Sequence, residues 1–244
     1  MKLLKVSATN STNTLLRDYV VDEQVEDFTV ISTDFQEKGR GQRDTFWHSK
    51  RGKNLLFSVF KKFDKLQAED HFFLNMCISL GLISALQRNI NRELKIKWPN
   101  DILTGNKKIA GILVENAIRS TQINHSIIGI GLNVNENPFP DDLPQAISLA
   151  MLTGKEFDRD ALLLEILNEL EKTFYILEND QKDSIKSAYL DRLYKYQQPQ
   201  MFRTKERDLI MAKIVDVDRW GNLVIEDVDG NLLSFGFKEI QFIY

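Results

Sequence analysis

Five short segments hold the residue types that anion binding and group transfer need. Gly39-Arg40-Gly41-Gln42-Arg43 mixes glycines with arginines. Glycine lets backbone N–H groups approach an anion closely, and arginine offers forked, permanently charged donors. The run is not a dinucleotide fingerprint, because position 44 is Asp, nor a Walker A loop, because no Gly-Lys-Ser/Thr follows. A solvated basic loop has the same pattern, so both readings stay open. Trp47 ends the stretch, either as a ring that stacks on a ligand or as an anchor in the core. In Lys97-Trp98-Pro99-Asn100-Asp101 the proline restrains the backbone, predicting a turn at Asn100 and Asp101 between two strands, with or without a chemical role. Lys108 opens an apolar strand interrupted by Gly111, and a glycine inside a strand marks close approach of a ligand or of backbone. Gly129-Ile130-Gly131-Leu132-Asn133 repeats that theme without a following helix start, which leaves a bulged strand or a bare wall. Ser11-Thr12-Asn13 has the composition of a helix cap.

A covalent nucleophile is not among these segments. There is no Gly-x-Ser-x-Gly elbow, and Cys77 falls on an apolar helix face, where it reads as a small core residue. One cysteine rules out an intramolecular disulfide framework and a multi-Cys zinc site. The three histidines, His48, His71 and His125, have no metal-ligand spacing, and metal ligands stay unassigned.

The elements that must carry these residues alternate in type. A short helix is predicted over 11–20, strands over 28–35 and 54–60, and a helix from a cap at Asp70 to about 90 with one apolar face. Three strand segments follow at 94–103, 108–117 and 125–134, then helices over 160–179 and 183–196. Beyond Gln197 short β-type runs are separated by Trp220-Gly221-Asn222 and Asp229-Gly230-Asn231. The expected architecture is α+β: a mixed β-sheet domain with flanking helices over 1–196 and a small SH3-like β-barrel over 197–244. The chain has 244 residues, 43% of them hydrophobic, enough for a sizeable core. Its formal charge of −3 does not suit binding to nucleic acid through phosphate neutralisation. The N-terminus turns polar too early for a signal peptide, and no apolar run is long enough to span a membrane. The expectation is a soluble, cytoplasmic protein.

Taken in order, the segments resemble the biotin–protein ligases. The resemblance rests on Ser11-Thr12-Asn13, Gln36 with Gly39-Arg40-Gly41, Trp47, Lys97-Trp98-Pro99-Asn100-Asp101, Lys108 through Glu115, and Gly129-x-Gly131-x-Asn133. It covers about residues 7–155, with the 138–154 stretch similar to a segment that closes over an adenylate. It implies that ATP and biotin are joined as biotinyl-5′-AMP, with Mg²⁺, and that the biotinyl group passes to a lysine of a biotin carboxyl carrier domain. Arg40, Lys108 and Asp101 are the implied catalytic residues. Ser11, Thr12, Asn13, Gln36, Gly39, Arg40, Lys108, Gly111, Gly129 and Gly131 are implied to bind biotin. The implied adenylate contacts are Arg40, Arg43, Trp47, Asn100, Lys108 and Asn133. The glycines would leave room for the biotin ring and tail.

Two departures modify the expectation. Gln42 and Asp44 stand where many members have Arg and Gly, which predicts a weaker hold on the adenylate. Only ten residues precede Ser11, too few for the winged-helix DNA-binding domain of some members, so a ligase-only form acting as a monomer or homodimer is expected. The rival readings are a lipoate or octanoyl transferase of the same fold and an inactive ligand-binding relative.

Overall fold

A computed structural model describes residues 1–22, 24–42 and 45–243. The elements run β1 (Lys2–Val6), α1 (Thr12–Asp22), β2 (Thr29–Thr33), β3 (Leu55–Lys62), α2 (His71–Gln87), β4 (Leu94–Lys97), β5 (Asp101–Thr104), β6 (Lys107–Arg119), β7 (Gln122–Leu132), α3 (Leu149–Thr153), α4 (Arg159–Glu178) and α5 (Lys182–Arg192). Five more strands follow: β8 (Pro199–Thr204), β9 (Leu209–Val217), β10 (Leu223–Asp227), β11 (Leu232–Phe235) and β12 (Ile240–Phe242).

The first seven strands make one mixed sheet in the order β1-β2-β3-β7-β6-β5-β4. Only β1 and β2 run parallel, joined through α1; every other neighbouring pair is antiparallel. The last five strands make an antiparallel sheet in the order β11-β10-β9-β8-β12. This is the expected α+β layout. No described helix is long and apolar enough to cross a membrane.

Side-chain alternation along the strands divides the sheet into two faces. Leu55, Phe57 and Val59 of β3 and Ile128, Ile130 and Leu132 of β7 face the large core under α2 and α4. Phe60 and Ile127 turn the other way, into a small cluster with Leu16 of α1. Continuing that second face along β3 and β7 gives Ser58, Gly129 and Gly131, so the glycines and α1 share one side.

Three local predictions need correction. The 94–103 segment is two strands forming a hairpin, and Asp101 is the first residue of β5 instead of a turn residue. Helix α2 is not one-sided: Phe72, Leu74, Met76, Ile78, Leu82, Ala85 and Leu86 are all buried, because it lies between the sheet and α4. Asp70 precedes α2 without capping it; its carboxylate accepts instead from Lys182 Nζ at 2.8 Å and Arg219 Nη2 at 3.2 Å.

Candidate functional site

Cross-strand register builds the floor of the site. Gly111 of β6 pairs with Gly131 of β7, Gly131 pairs with Leu56 of β3, and Asp101 of β5 pairs with Gly111. One row therefore reads Asp101, Gly111, Gly131, Leu56. The next row joins Leu113, Gly129 and Ser58.

The indole of Trp47 lies on the two glycines of the first row. A Cβ on Gly131 would sit 2.4 Å from Trp47 Cε2, and one on Gly111 would sit 2.9 Å from Trp47 Cζ3. Only glycine at both positions lets the ring reach the sheet. In the second row, a Cβ on Gly129 would meet Asn13 Oδ1 at 2.2 Å. The expectation that these glycines leave open room for a ligand is thus modified, since Trp47 and Asn13 occupy the space over them. Trp47 Nε1 is buried with no hydrogen-bond partner among the described residues.

Lys108 reaches this face through a β-bulge. Residues 108 and 111 are an odd number apart, so a regular strand would point them to opposite sides. The β5–β6 register shifts at Ile102/Leu103, so that Ile102 faces Ala110 while Leu103 faces Lys108. Ile109 is the extra residue of the bulge. It stays in the core with Ala110, both 0% exposed, while Lys108 turns onto the glycine face. There its Nζ lies 2.6 Å from Asp101 Oδ1 and 5.3 Å from the centre of the Trp47 ring. Its backbone is held from the far side as well: Lys108 N–H donates to Gln145 O at 2.7 Å, and Lys108 O accepts from Ile147 N–H at 3.0 Å. Asn133, buried, adds its Nδ2 to Lys108 O at 3.3 Å.

The glycine–arginine loop folds back on itself. Trp47 N–H donates to Gly39 O at 3.0 Å and Gly41 N–H to Thr45 O at 2.7 Å, with Arg40 bridged to Phe46. Arg43 and Asp44 lie outside the described residues. Arg40 Nη2 reaches Glu115 Oε1 at 3.0 Å, and Asn13 Nδ2 donates to Glu115 Oε2 at 2.8 Å. Glu115 follows Gly111 and Leu113 along the same face of β6, a period-two pattern present in the sequence.

A polar cluster closes the other end. Thr12 N–H, an orphan donor at the start of α1, donates to Gln36 Oε1 at 2.8 Å, and the Thr12 hydroxyl reaches the same oxygen at 3.1 Å. Ser58 Oγ lies 2.7 Å from Thr12 Oγ1 and 2.6 Å from Asn13 Oδ1. Ser58 is fully buried opposite Gly129, and its place within the apolar run from Leu55 to Phe60 was the signal for it.

These groups surround one cavity of about 540 Å³, within the usual range for small-molecule sites. Ser11, Thr12, Asn13, Gln36, Arg40, Trp47, Asn100, Asp101, Lys108, Gly111, Gly129 and Gly131 all line it. Gly39 and Asn133 are not among the lining residues; the first forms the base of the loop and the second braces Lys108. Asn100 lines the cavity but donates its amide to Ile112 O at 2.6 Å, tying the hairpin to β6. The 138–154 stretch runs beside Lys108 and contributes no lining residue. The second sheet supplies part of the rim through Phe237, Lys238, Ile240, Gln241 and Phe242. Arg40, Lys97, Lys108 and Lys238 face a single lining carboxylate, Asp101, so the described lining is cationic in a chain whose formal charge is −3. Such a cavity suits an anionic ligand with a polar head and an apolar middle.

Residues 6–133 match the Biotin/lipoate A/B protein ligase family. The bifunctional ligase/repressor BirA of Bacillus subtilis is 35% identical over 150 residues, covering 60% of this chain and 46% of that protein. The biotin–[acetyl-CoA-carboxylase] ligase of Mycobacterium tuberculosis is 30% identical over 169 residues, covering 68% and 61%. The chain spans about half the length of the BirA relatives it matches. A biotin protein ligase from Aquifex aeolicus, solved in complex with biotin and ATP, shares the fold with a TM-score of 0.80 at 24% identity, over 98% of this chain and 97% of that one. The family match covers just over half of the chain, including the residues that build the cavity floor, and the chain belongs to the biotin/lipoate A/B protein ligase family.

Proposed function

We propose that this protein activates biotin with ATP and transfers the biotinyl group to a lysine of a biotin carboxyl carrier domain. In the first step a biotin carboxylate oxygen attacks the α-phosphorus of ATP. The bond from that phosphorus to the bridging oxygen breaks, and pyrophosphate leaves. Two anions must meet, so fixed positive charge and donors at the meeting point lower the barrier. Arg40 and Lys108, which line the same cavity, are the groups for this work. In the second step a neutral lysine amine attacks the acyl carbon of the mixed anhydride, and AMP departs. The activated species is the anhydride itself, so the protein needs no nucleophile of its own.

Mg²⁺ belongs to this reading as part of the nucleotide substrate. The described residues hold no group of three or more His, Cys, Asp or Glu suited to a metal, and no step is assigned to a resident ion.

The observation that carries the proposal is that Arg40, Lys108, Thr12 and Gln36 all line one cavity, with Ser58 bonded to Thr12 behind its lining. The Thr12–Gln36–Ser58 network also favours biotin over lipoate. A ureido head both donates and accepts hydrogen bonds and can join that network, whereas a dithiolane offers it no partner. The test is ATP-dependent labelling of a carrier domain with radioactive biotin or lipoate. Biotin incorporation at least about a hundredfold above lipoate is expected. Labelling by lipoate alone would reassign the substrate, and labelling by neither would point to a ligand-binding relative.

A further inference from the structure

Glu115 holds two cations on one oxygen. Its Oε1 accepts from Arg40 Nη2 at 3.0 Å and also from Arg17 Nη2, while Oε2 accepts from Asn13. Asn13 and Arg17 are four residues apart on α1, one above the other on the same helix face. Arg40 lines the cavity, but neither Arg17 nor Glu115 does. Arg40 is therefore shared between a carboxylate behind the wall and whatever anion enters in front of it.

This arrangement raises an electrostatic problem that Arg17 solves. An arginine drawn toward an incoming phosphate would leave behind a carboxylate whose side chain is only 24% exposed. That carboxylate would lose its counter-ion and repel the phosphate at the same time. With a second guanidinium already on the same oxygen, Arg40 can move and leave a neutral Glu115–Arg17 pair.

We propose that Arg17 is a positioning residue, a stand-in counter-ion for Glu115 that releases Arg40 to the polyphosphate of the nucleotide. The inference rests on the reading that the cavity takes ATP, and it adds a residue that the sequence motifs do not include. Asn13 is unaffected by the exchange, because its bond runs to the other oxygen.

The test is calorimetric titration of the whole protein with MgATP in the absence of biotin, and with the uncleavable α,β-methylene analogue of ATP in the presence of saturating biotin. Arg17→Gln should raise the ATP Kd about fivefold, the scale of a partly exposed ion pair. Arg17→Lys, which keeps the charge, should recover most of the loss. Glu115→Gln keeps an acceptor for Asn13 and removes the competitor for Arg40, so it should bind ATP at least as well as the parent. Added to Arg17→Gln, it should restore ATP affinity. Biotin affinity and Tm should stay level in Arg17→Gln, which separates the effect from a general loosening of α1. Unchanged ATP affinity in Arg17→Gln, no rescue by Glu115→Gln, or no ATP binding by the parent would each overturn the inference. A parent that binds ATP but forms no biotinyl adenylate would instead sink the ligase reading while leaving this one standing.

Discussion

At the residue scale, two of the cations lining the site are parked on carboxylates: Arg40 on Glu115 and Lys108 on Asp101. For Asp101 this suggests an exchange in the second step. Under the proposed reading, a Lys108 that turns to the phosphate would free Asp101 to hold the ammonium of the incoming lysine and accept its proton. Asp101→Asn should therefore slow transfer from preformed biotinyl-5′-AMP about a hundredfold near neutral pH. The defect should shrink toward the lysine pKa, where the acceptor amine is already neutral. Stopped-flow transfer assays over a pH series would measure it, and equal rates for both proteins near neutral pH would remove Asp101 from the step. Arg40, Lys108 and Asp101 were legible in the sequence as site residues, but Glu115 and the pairings were not. That Lys108 and Asp101 share a face depends on the bulge at Ile109, and nothing in the local sequence announces a bulge there. Trp47 left stacking and anchoring as alternatives; it seats itself on the glycine pair with its ring toward Lys108.

At the scale of elements, α2 and α4 support the back of the sheet, and Glu169 is the polar tie between them. It accepts from Lys172 Nζ and Arg88 Nη2, each at 2.7 Å, and from Ser84 Oγ at 2.8 Å. The bond from Lys172 above all, with those from Ser84 and Arg88, outweighs burial and holds its carboxyl down at about 2, against an ordinary 4.5. A carboxyl depressed by folding contributes stability above its unfolded pKa and loses it as pH falls through the folded one. Glu169→Gln should thus cost about 2 kcal/mol at neutral pH. The gap between the two proteins should narrow as pH falls from 4.5 toward 2. Denaturant unfolding across that range checks the sign, and a pH-independent gap would contradict it. Sequence periodicity located these helices but misjudged α2. A helix sandwiched between a sheet and another helix is apolar nearly all round, and periodicity cannot then choose a face. Strand β1 escaped notice because Lys2 and Lys5 make its short run look like a polar terminus. The short strands β8 and β12 escaped because Gln200 and Arg203 break the first and the second has three residues.

At the scale of the whole molecule, the second sheet is fastened to the first beside the cavity. Trp98 Nε1 donates to Gly221 O at 2.8 Å, and Phe72 packs so closely on Gly221 that a Cβ there would sit 2.3 Å from its ring. Arg219 reaches Glu69 and the buried Asp70, which also holds Lys182 of α5. Lys186 pairs with Asp216 at 2.8 Å. Trp98 thus links the Lys97–Asp101 hairpin to the unit that lends the cavity Phe237, Lys238, Ile240, Gln241 and Phe242. The change of texture after Gln197 signalled a separate β unit, and the turn at 220–222 was legible from its composition. Its docking against Trp98 and Phe72 was not, since contacts over such sequence distances leave no local pattern.

The central claim is that Arg40 and Lys108, set beside a glycine-floored cavity, let a biotin carboxylate meet the α-phosphorus of ATP. Biotin-dependent exchange of labelled pyrophosphate into ATP isolates that step from any carrier protein. The account predicts exchange by the parent protein only when biotin is present, falling at least about a hundredfold in Arg40→Gln and in Lys108→Gln. Exchange at the parent rate in both variants, or none in the parent with biotin and MgATP supplied, would contradict it.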